Sequence, residues 1–472
     1  MNGLHRYLWL LLLLVFPARS MAQDAAHKPP HILYIVSDDL GWRDVGFHGV
    51  RDVTTPNLDK LAAAGARMEQ FYVQPMCTPT RAALLTGRYP MRYGLQTLVI
   101  PSKGTYGLAL DERVLPQVLK DAGYRTTMVG KWHLGHADRA YWPRQRGFDY
   151  HYGAVIGEID YFTREAHGVL DWQRDNQAVR ETGYVTELLG KDAVDVVQKH
   201  DAGKPLFLYL AFTAPHAPYQ APEAYLAKFA QIEDPTRRAY AAMIACMDTE
   251  IGKVVQALRD KGMYDDTLIV WHSDNGGTKN KRFAGEGDVS KVTIPCDNGD
   301  LRGGKGELYE GGTRVPAFVC WPGRVPAGAV IQDPVHIVDM LPTLAAAAGA
   351  KVGAEKPLDG KSVLPAWTNG APTGRDEVVY NIEPFGGALR QGPWKLVWRA
   401  VLPAKVELFH LGDDPNEKRD LAAKEPERVK ELQARIQALA AEAAPPLFLK
   451  ASLDAIYGGL FGPAPIPMDG ER

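Results

Sequence analysis

The chain has 472 residues, more than one hydrophobic core normally organises, so a large domain with a smaller appendage, or two domains, is expected. Its 54 Lys and Arg nearly balance its 56 Asp and Glu, for a net charge of -2. That balance excludes the global basic field on which nucleic-acid binding relies, so any anionic ligand must be met by local residues.

At the N-terminus, Arg6 precedes an apolar run over residues 8–16, followed by Pro17 and small residues through Ser20 and Ala22. This pattern reads as a secretory signal peptide over residues 1–22, predicting a secreted or periplasmic chain. The run is shorter than a membrane span requires and no later segment approaches one; an uncleaved N-terminal anchor is the minor alternative. Export permits disulfides, but only Cys77, Cys246, Cys296 and Cys320 are present, too few for a disulfide scaffold.

Four short, nearly continuous apolar runs then share one format, each ending in a polar cluster. Residues 31–37 run into Asp38 and Asp39; residues 125–129 lead to Lys131 and His133; residues 205–212 lead to Pro215 and His216; residues 267–271 lead to Asp274 and Asn275. Such runs suit strands buried on both faces, and helical patterns from Asn57, over residues 114–120 and over 243–258 lie between them. The alternation predicts an α/β fold over residues 23–375: a mainly parallel mixed sheet sandwiched by helices. Ligands of such sheets bind beyond the carboxyl ends of the strands, where all four clusters fall.

After residue 375 the texture changes to three short segments, 377–381, 388–398 and 406–411, that read as antiparallel strands. A helix from Glu427 to Ala441, with Pro426 left outside it, completes a C-terminal α+β subdomain over residues 376–444. The proline-rich tail, 445–472, is expected to be extended.

Asp38, Asp39, Asp274 and Asn275 form an all-oxygen donor set, which favours calcium or magnesium over zinc. Cys77-Thr78-Pro79-Thr80-Arg81 opens a helix-forming stretch, Ala82-Ala83-Leu84-Leu85, so Cys77 belongs at a helix N-terminus that favours an anion, with Arg81 one turn on. Read alone, Cys77 is equally well a buried structural thiol, and His133 and His216, each taken singly, are more readily hydrogen-bonded structural residues than catalytic ones. Lys305 lies in a glycine-rich stretch, 301–314, whose backbone admits close approach to an anion or simply forms a surface loop.

Jointly and in this order, these segments resemble the motifs of the sulfatase family, from residue 31 to about 421, including Pro393-Trp394-Lys395-Leu396 and Leu408-Phe409-His410-Leu411. Residues 110–116, 120–124, 146–149 and 160–162 are similar to the arylsulfatase B-like (N-acetylgalactosamine-4-sulfatase-like) branch. Thr80 stands where Ser is common in the family, with the hydroxyl kept. The resemblance implies that Cys77 is converted to Cα-formylglycine by a maturation enzyme acting before folding. It implies one metal ion, usually calcium and with magnesium possible, held by Asp38, Asp39, Asp274, Asn275 and the modified Cys77. Lys131 and Lys305 would then hold the sulfonate oxygens, Arg81 would orient the nucleophile, His216 would protonate the leaving alcohol with help from Lys305, and His133 would take the proton that frees sulfate.

The implied substrate is a sulfated carbohydrate such as N-acetylgalactosamine sulfate of glycosaminoglycans. Asp160, Tyr161, Arg164, His167 and Trp172 suggest sugar contact within residues 158–172, or else an ordinary surface loop. A formylglycine-dependent phosphonate or phosphate ester hydrolase is the enzymatic alternative, and a catalytically silent sugar-binding homologue the non-enzymatic one. If Cys77 is modified, at most one disulfide can form among Cys246, Cys296 and Cys320.

Overall fold

A computed structural model describes residues 28–283, 293–353, 355–400 and 403–461; the expected signal peptide and the last residues of the tail lie outside them. The four apolar runs become the strands His31–Ser37, Arg125–Gly130, Leu206–Ala211 and Thr267–Ser273. They are spatial neighbours and all parallel: 267–273 beside 31–37, then 206–211, then 125–130. Tyr150–Gly153 adds a fifth parallel strand. Short antiparallel strands flank this block, Ala317–Cys320 on one side and Gln173–Arg174 on the other, within a ten-stranded mixed sheet.

The continuous apolar character follows from burial on both faces. Ile32, Tyr34 and Val36 enter a core with Leu84 and Leu85 of the Cys77–Thr86 helix. Leu33 and Ile35 enter a second core with Leu189 and Met243, from the helices Val185–Lys199 and Pro235–Asp260. Each such side chain removed from water contributes about 1.5–3 kcal/mol, so a polar residue at alternate positions would cost one core or the other. The longest helix starts where Asp234 accepts from the backbone N–H of Thr236 (2.8 Å), with Pro235 in the first helical position.

The C-terminal strands Glu377–Glu383, Gly386–Gln391, Trp394–Arg399 and Lys405–His410 form an antiparallel meander, covered by Leu432, Ile436 and Leu439 of a helix. That helix spans Pro426–Ala441. Pro426 is its first residue, a position that needs no N–H, which corrects the expectation that it stands outside. The expectation of an extended tail is also corrected: Leu447–Phe461 is helical. Its prolines, Pro445 and Pro446 before it and Pro463 onward after it, bracket a proline-free apolar stretch.

Tyr72, Leu308 and Tyr309 pack with Val378, Tyr380 and Phe409, joining the meander to the small three-stranded sheet that contains Phe71–Tyr72. At that junction Lys395 Nζ lies 2.9 Å from both Glu310 and Glu417, all three buried. Cys77, Cys246, Cys296 and Cys320 are all buried free thiols.

Candidate active site

The parallel strands deliver Asp38, Asp39, Lys131, Asp274 and Asn275 to one edge of the sheet within two residues of a strand end. Asp39 turns back through a left-handed conformation, φ 62°. This brings its backbone N–H to Asp274 Oδ1 (3.3 Å), while its Oδ1 accepts from Asn275 Nδ2 (2.7 Å). The Cys77–Thr86 helix points its first residue into this cluster, with Cys77 Sγ 3.4 Å from both Asp38 Oδ1 and Asn275 Oδ1. Burial, then the Asp274 and Asp38 carboxylates, push the Cys77 thiol well above its ordinary value. As a plain thiol it is therefore protonated and a poor nucleophile.

Three buried cations match the three carboxylates. Arg81 donates from Nε (3.0 Å) and Nη2 (2.8 Å) to Asp274 Oδ2 and from Nη1 to the Lys131 carbonyl (3.0 Å). Lys131 Nζ lies 2.5 Å from Asp38 Oδ2, and Lys305 Nζ lies 2.8 Å from Asp39 Oδ2. Burial would raise the Asp38 carboxyl, but Lys131, His216 and Arg81 hold it below the usual carboxylate range. Arg81 thus reaches Asp274 and Asp38, and its hydrogen bonds order the carboxylates around Cys77.

The two histidines stand on different footings. His216 Nε2 is 3.0 Å from Lys305 Nζ, while Nδ1 is held at 2.5 Å from the Ala217 carbonyl. His133, at φ 58°, donates from Nε2 to the Ile100 carbonyl (3.1 Å), which leaves Nδ1 as the bare nitrogen. Among the described residues Nδ1 is buried without a hydrogen-bond partner. Burial, then Lys131 and Arg81, hold His133 well below its ordinary value, so it is neutral and able to accept a proton.

Cys77, His133, His216 and Lys305 line one cavity of about 300 Å³, whose rim carries Glu158, His167, Arg282 and Phe283. Of the loop residues read as sugar contacts, only His167 lines it. Trp172 is fully buried and donates to Glu181 (2.8 Å); Arg164 is buried on the Gly183 carbonyl (2.8 Å); Asp160 accepts from Gln220 (2.7 Å). Tyr161 is buried and donates to the carbonyls of Thr213 (2.7 Å) and His216 (2.9 Å), supporting the turn that carries His216.

Sequence reasoning missed the rim residues Arg282 and Phe283. It also missed Gly157, where a Cβ would stand 2.1 Å from the His133 ring, and Thr78, whose hydroxyl donates to the His133 carbonyl (3.0 Å). An isolated glycine or threonine carries no signal of its own in a single sequence.

Residues 30–350 match the family model described as Sulfatase, and residues 304–442 match that of the N-sulphoglucosamine sulphohydrolase C-terminal region. The chain belongs to the sulfatase family.

Relatives include Arylsulfatase J of Mus musculus, 37% identical over 403 residues, 83% of this chain and 65% of that protein. N-acetylgalactosamine-6-sulfatase of Canis lupus familiaris is 35% identical over 390 residues, 78% of this chain and 72% of that protein. The chain therefore spans roughly two thirds of the length of these relatives. Among solved structures, Ps i-CgsB in complex with k-i-k-neocarrahexaose superposes with a TM-score of 0.80 at 34% identity, over 89% of this chain and 94% of that one. A phosphonate monoester hydrolase from Silicibacter pomeroyi, at 20% identity and a TM-score of 0.63 over 88% and 96%, shares the fold alone.

Sulfatases generally use a formylglycine and a divalent metal, and the residues here fit both. Donor atoms of Asp38, Asp39, Cys77 and His216 lie within 4.8 Å of one another, with Asp274 and Asn275 in contact with that group. Hard carboxylate and amide oxygens from two adjacent strand ends suit calcium or magnesium. With three cations already facing three carboxylates, a divalent ion bound there would make the pocket net positive and favour an anion.

Proposed function

We propose that this sulfatase hydrolyses the sulfate ester of a sulfated carbohydrate, with N-acetylgalactosamine sulfate of glycosaminoglycans or a comparable polysaccharide ester as substrate. Membership of the family places the chain among sulfuric ester hydrolases. The observation that carries the reading is the placement of Cys77 at a helix N-terminus against Asp38 and Asn275, across one cavity from the Lys305–His216 pair.

Conversion of Cys77 to hydrated Cα-formylglycine would supply a nucleophilic hydroxyl and a second hydroxyl for release of sulfate, and Asp38, Asp39, Asp274 and Asn275 would hold a divalent metal that would supply positive charge to nucleophile and sulfonate. Lys131 and Lys305 neutralise sulfonate oxygens. His216, taking up at Nε2 the proton that the Lys305 ammonium donates, passes it to the leaving alcohol, and His133 accepts the later proton at its bare Nδ1. Arg81 keeps Asp274 and Asp38 in position. Because Cys77 is 1% exposed in the folded chain, the maturation enzyme must act before that segment is buried.

One of the relatives named above, N-acetylgalactosamine-6-sulfatase, supports sulfated N-acetylgalactosamine as the sugar, but its name gives the 6-position where the branch resemblance suggested the 4-position. The proposal therefore leaves the position to assay of both isomers. The chain is proposed to act after export, by its N-terminal pattern; among the described residues no helix is long and apolar enough to cross a membrane. Sulfate release from N-acetylgalactosamine 4-sulfate, N-acetylgalactosamine 6-sulfate and an aryl sulfate, beside a phosphonate monoester, tests the reading. Faster hydrolysis of the phosphonate ester than of any sulfate ester would overturn it.

A further inference from the structure

The buried cations around Cys77 each face a carboxylate, Arg81 facing Asp274, Lys131 facing Asp38 and Lys305 facing Asp39, and of the three Lys305 lines the active-site cavity. Arg282 lines the same cavity at its exposed rim, and among the described residues it has no carboxylate partner. Its turn is built. Asn280 Oδ1 accepts from the Arg282 N–H (3.0 Å), the Asn280 carbonyl accepts from the Phe283 N–H (2.9 Å), and Thr278 Oγ1 donates to the same carbonyl (3.0 Å). Phe283 in turn sits against the Lys305 segment, its ring centroid 5.7 Å from Lys305 Nζ. An exposed guanidinium carried by this turn at the mouth of the cavity offers a planar fork for a second oxyanion. Glu158, on the same rim, carries the opposite sign and repels an anion, which leaves it to accept sugar hydroxyls.

We propose that Arg282 is a specificity-determining residue that binds a second anionic group, a sulfate or a carboxylate, on the sugar next to the hydrolysed ester. The inference rests on the sulfatase reading and deepens it: the natural substrate is an oligosaccharide with charges on adjacent residues, not an isolated monosulfate. Loss of a charge-assisted hydrogen bond of this kind costs about 10- to 100-fold in affinity.

The test uses binding, which does not depend on turnover or on maturation. Full-length Cys77→Ala protein is titrated calorimetrically, with and without Arg282→Gln, against three disaccharides. Each carries one sulfate on N-acetylgalactosamine; the neighbouring sugar is neutral, carboxylated or sulfated. The parent is expected to prefer at least one doubly charged ligand by 10-fold or more, Arg282→Gln to bring that ratio close to one, and Arg282→Lys to keep part of it. Which doubly charged ligand wins identifies the second group. Equal binding of all three ligands by the parent, no binding of any, an unchanged ratio in Arg282→Gln, or equal weakening of every ligand would each overturn the proposal. A wild-type chain that releases no sulfate would instead defeat the hydrolase reading and leave the binding ratio to be judged by itself.

Discussion

Gly157→Ala tests whether His133 must sit where the fold holds it. A Cβ on Gly157 would lie 2.1 Å from His133 Cε1, 2.4 Å from Nε2 and 2.6 Å from Nδ1. Ordinary van der Waals contact begins at 3.4 Å, so ring or loop must give way by 3.4 - 2.1 = 1.3 Å. The Nε2 bond to Ile100 is 3.1 Å long, and a shift of that size breaks it along with the tautomer it fixes. Misplacing a catalytic group by about 1 Å costs on the order of 100-fold in rate. The predicted result is a kcat about 100-fold lower on an aryl sulfate, with an overpacking cost of about 1–3 kcal/mol in stability. Initial rates of sulfate release, normalised to the modified fraction of Cys77, measure it. Because both changes act through one side chain, Gly157→Ala should add little to His133→Ala. A Gly157→Ala rate within threefold of wild type, or full additivity in the double variant, would refute the reasoning.

Two further predictions concern the buried charges. Lys395→Met leaves Glu310 and Glu417 facing each other without their cation, which should cost about 3–5 kcal/mol near neutral pH. Burial, opposed by Lys395, raises the Glu417 carboxyl from 4.5 to about 7. The folded chain therefore keeps a proton that the unfolded chain releases above pH 4.5, and this contribution to stability is present on the acid side and lost as pH rises toward 7. Thermal unfolding should thus show a smaller Lys395→Met penalty at acid than at alkaline pH; an equal penalty would contradict the assignment. Removing divalent metal with a chelator should abolish sulfate release, with recovery on adding calcium or magnesium. Recovery with zinc alone would contradict the all-oxygen donor set.

Much of the site was legible because its residues follow strands whose burial on both faces leaves a nearly unbroken apolar signature. Asp38, Asp39, Lys131, Asp274 and Asn275 stand at the points where that signature stops. The flanking strands were not legible: Ala66–Met68 and Gln173–Arg174 are three and two residues long, too short for any period to register. Tyr161, Arg164 and Trp172 misled for a different reason. Aromatic and charged residues in a loop look exposed until their partners are known, and those partners, Thr213, Gly183 and Glu181, are 9 to 52 residues away. The helix at Leu447–Phe461 was hidden by prolines that bound it instead of interrupting it. Arg282 and Gly157 act through spatial placement alone, which one sequence does not encode in any local pattern.

The central claim is that Cys77 acts as Cα-formylglycine, and peptide mass spectrometry across residues 70–90 tests it most directly, run alongside sulfate release on the same preparations. Protein from its native host should carry formylglycine at position 77, with turnover proportional to the modified fraction, while Cys77→Ser and Cys77→Ala should fold normally and release no sulfate. Unmodified Cys77 in a chain that still hydrolyses sulfate esters would contradict the account.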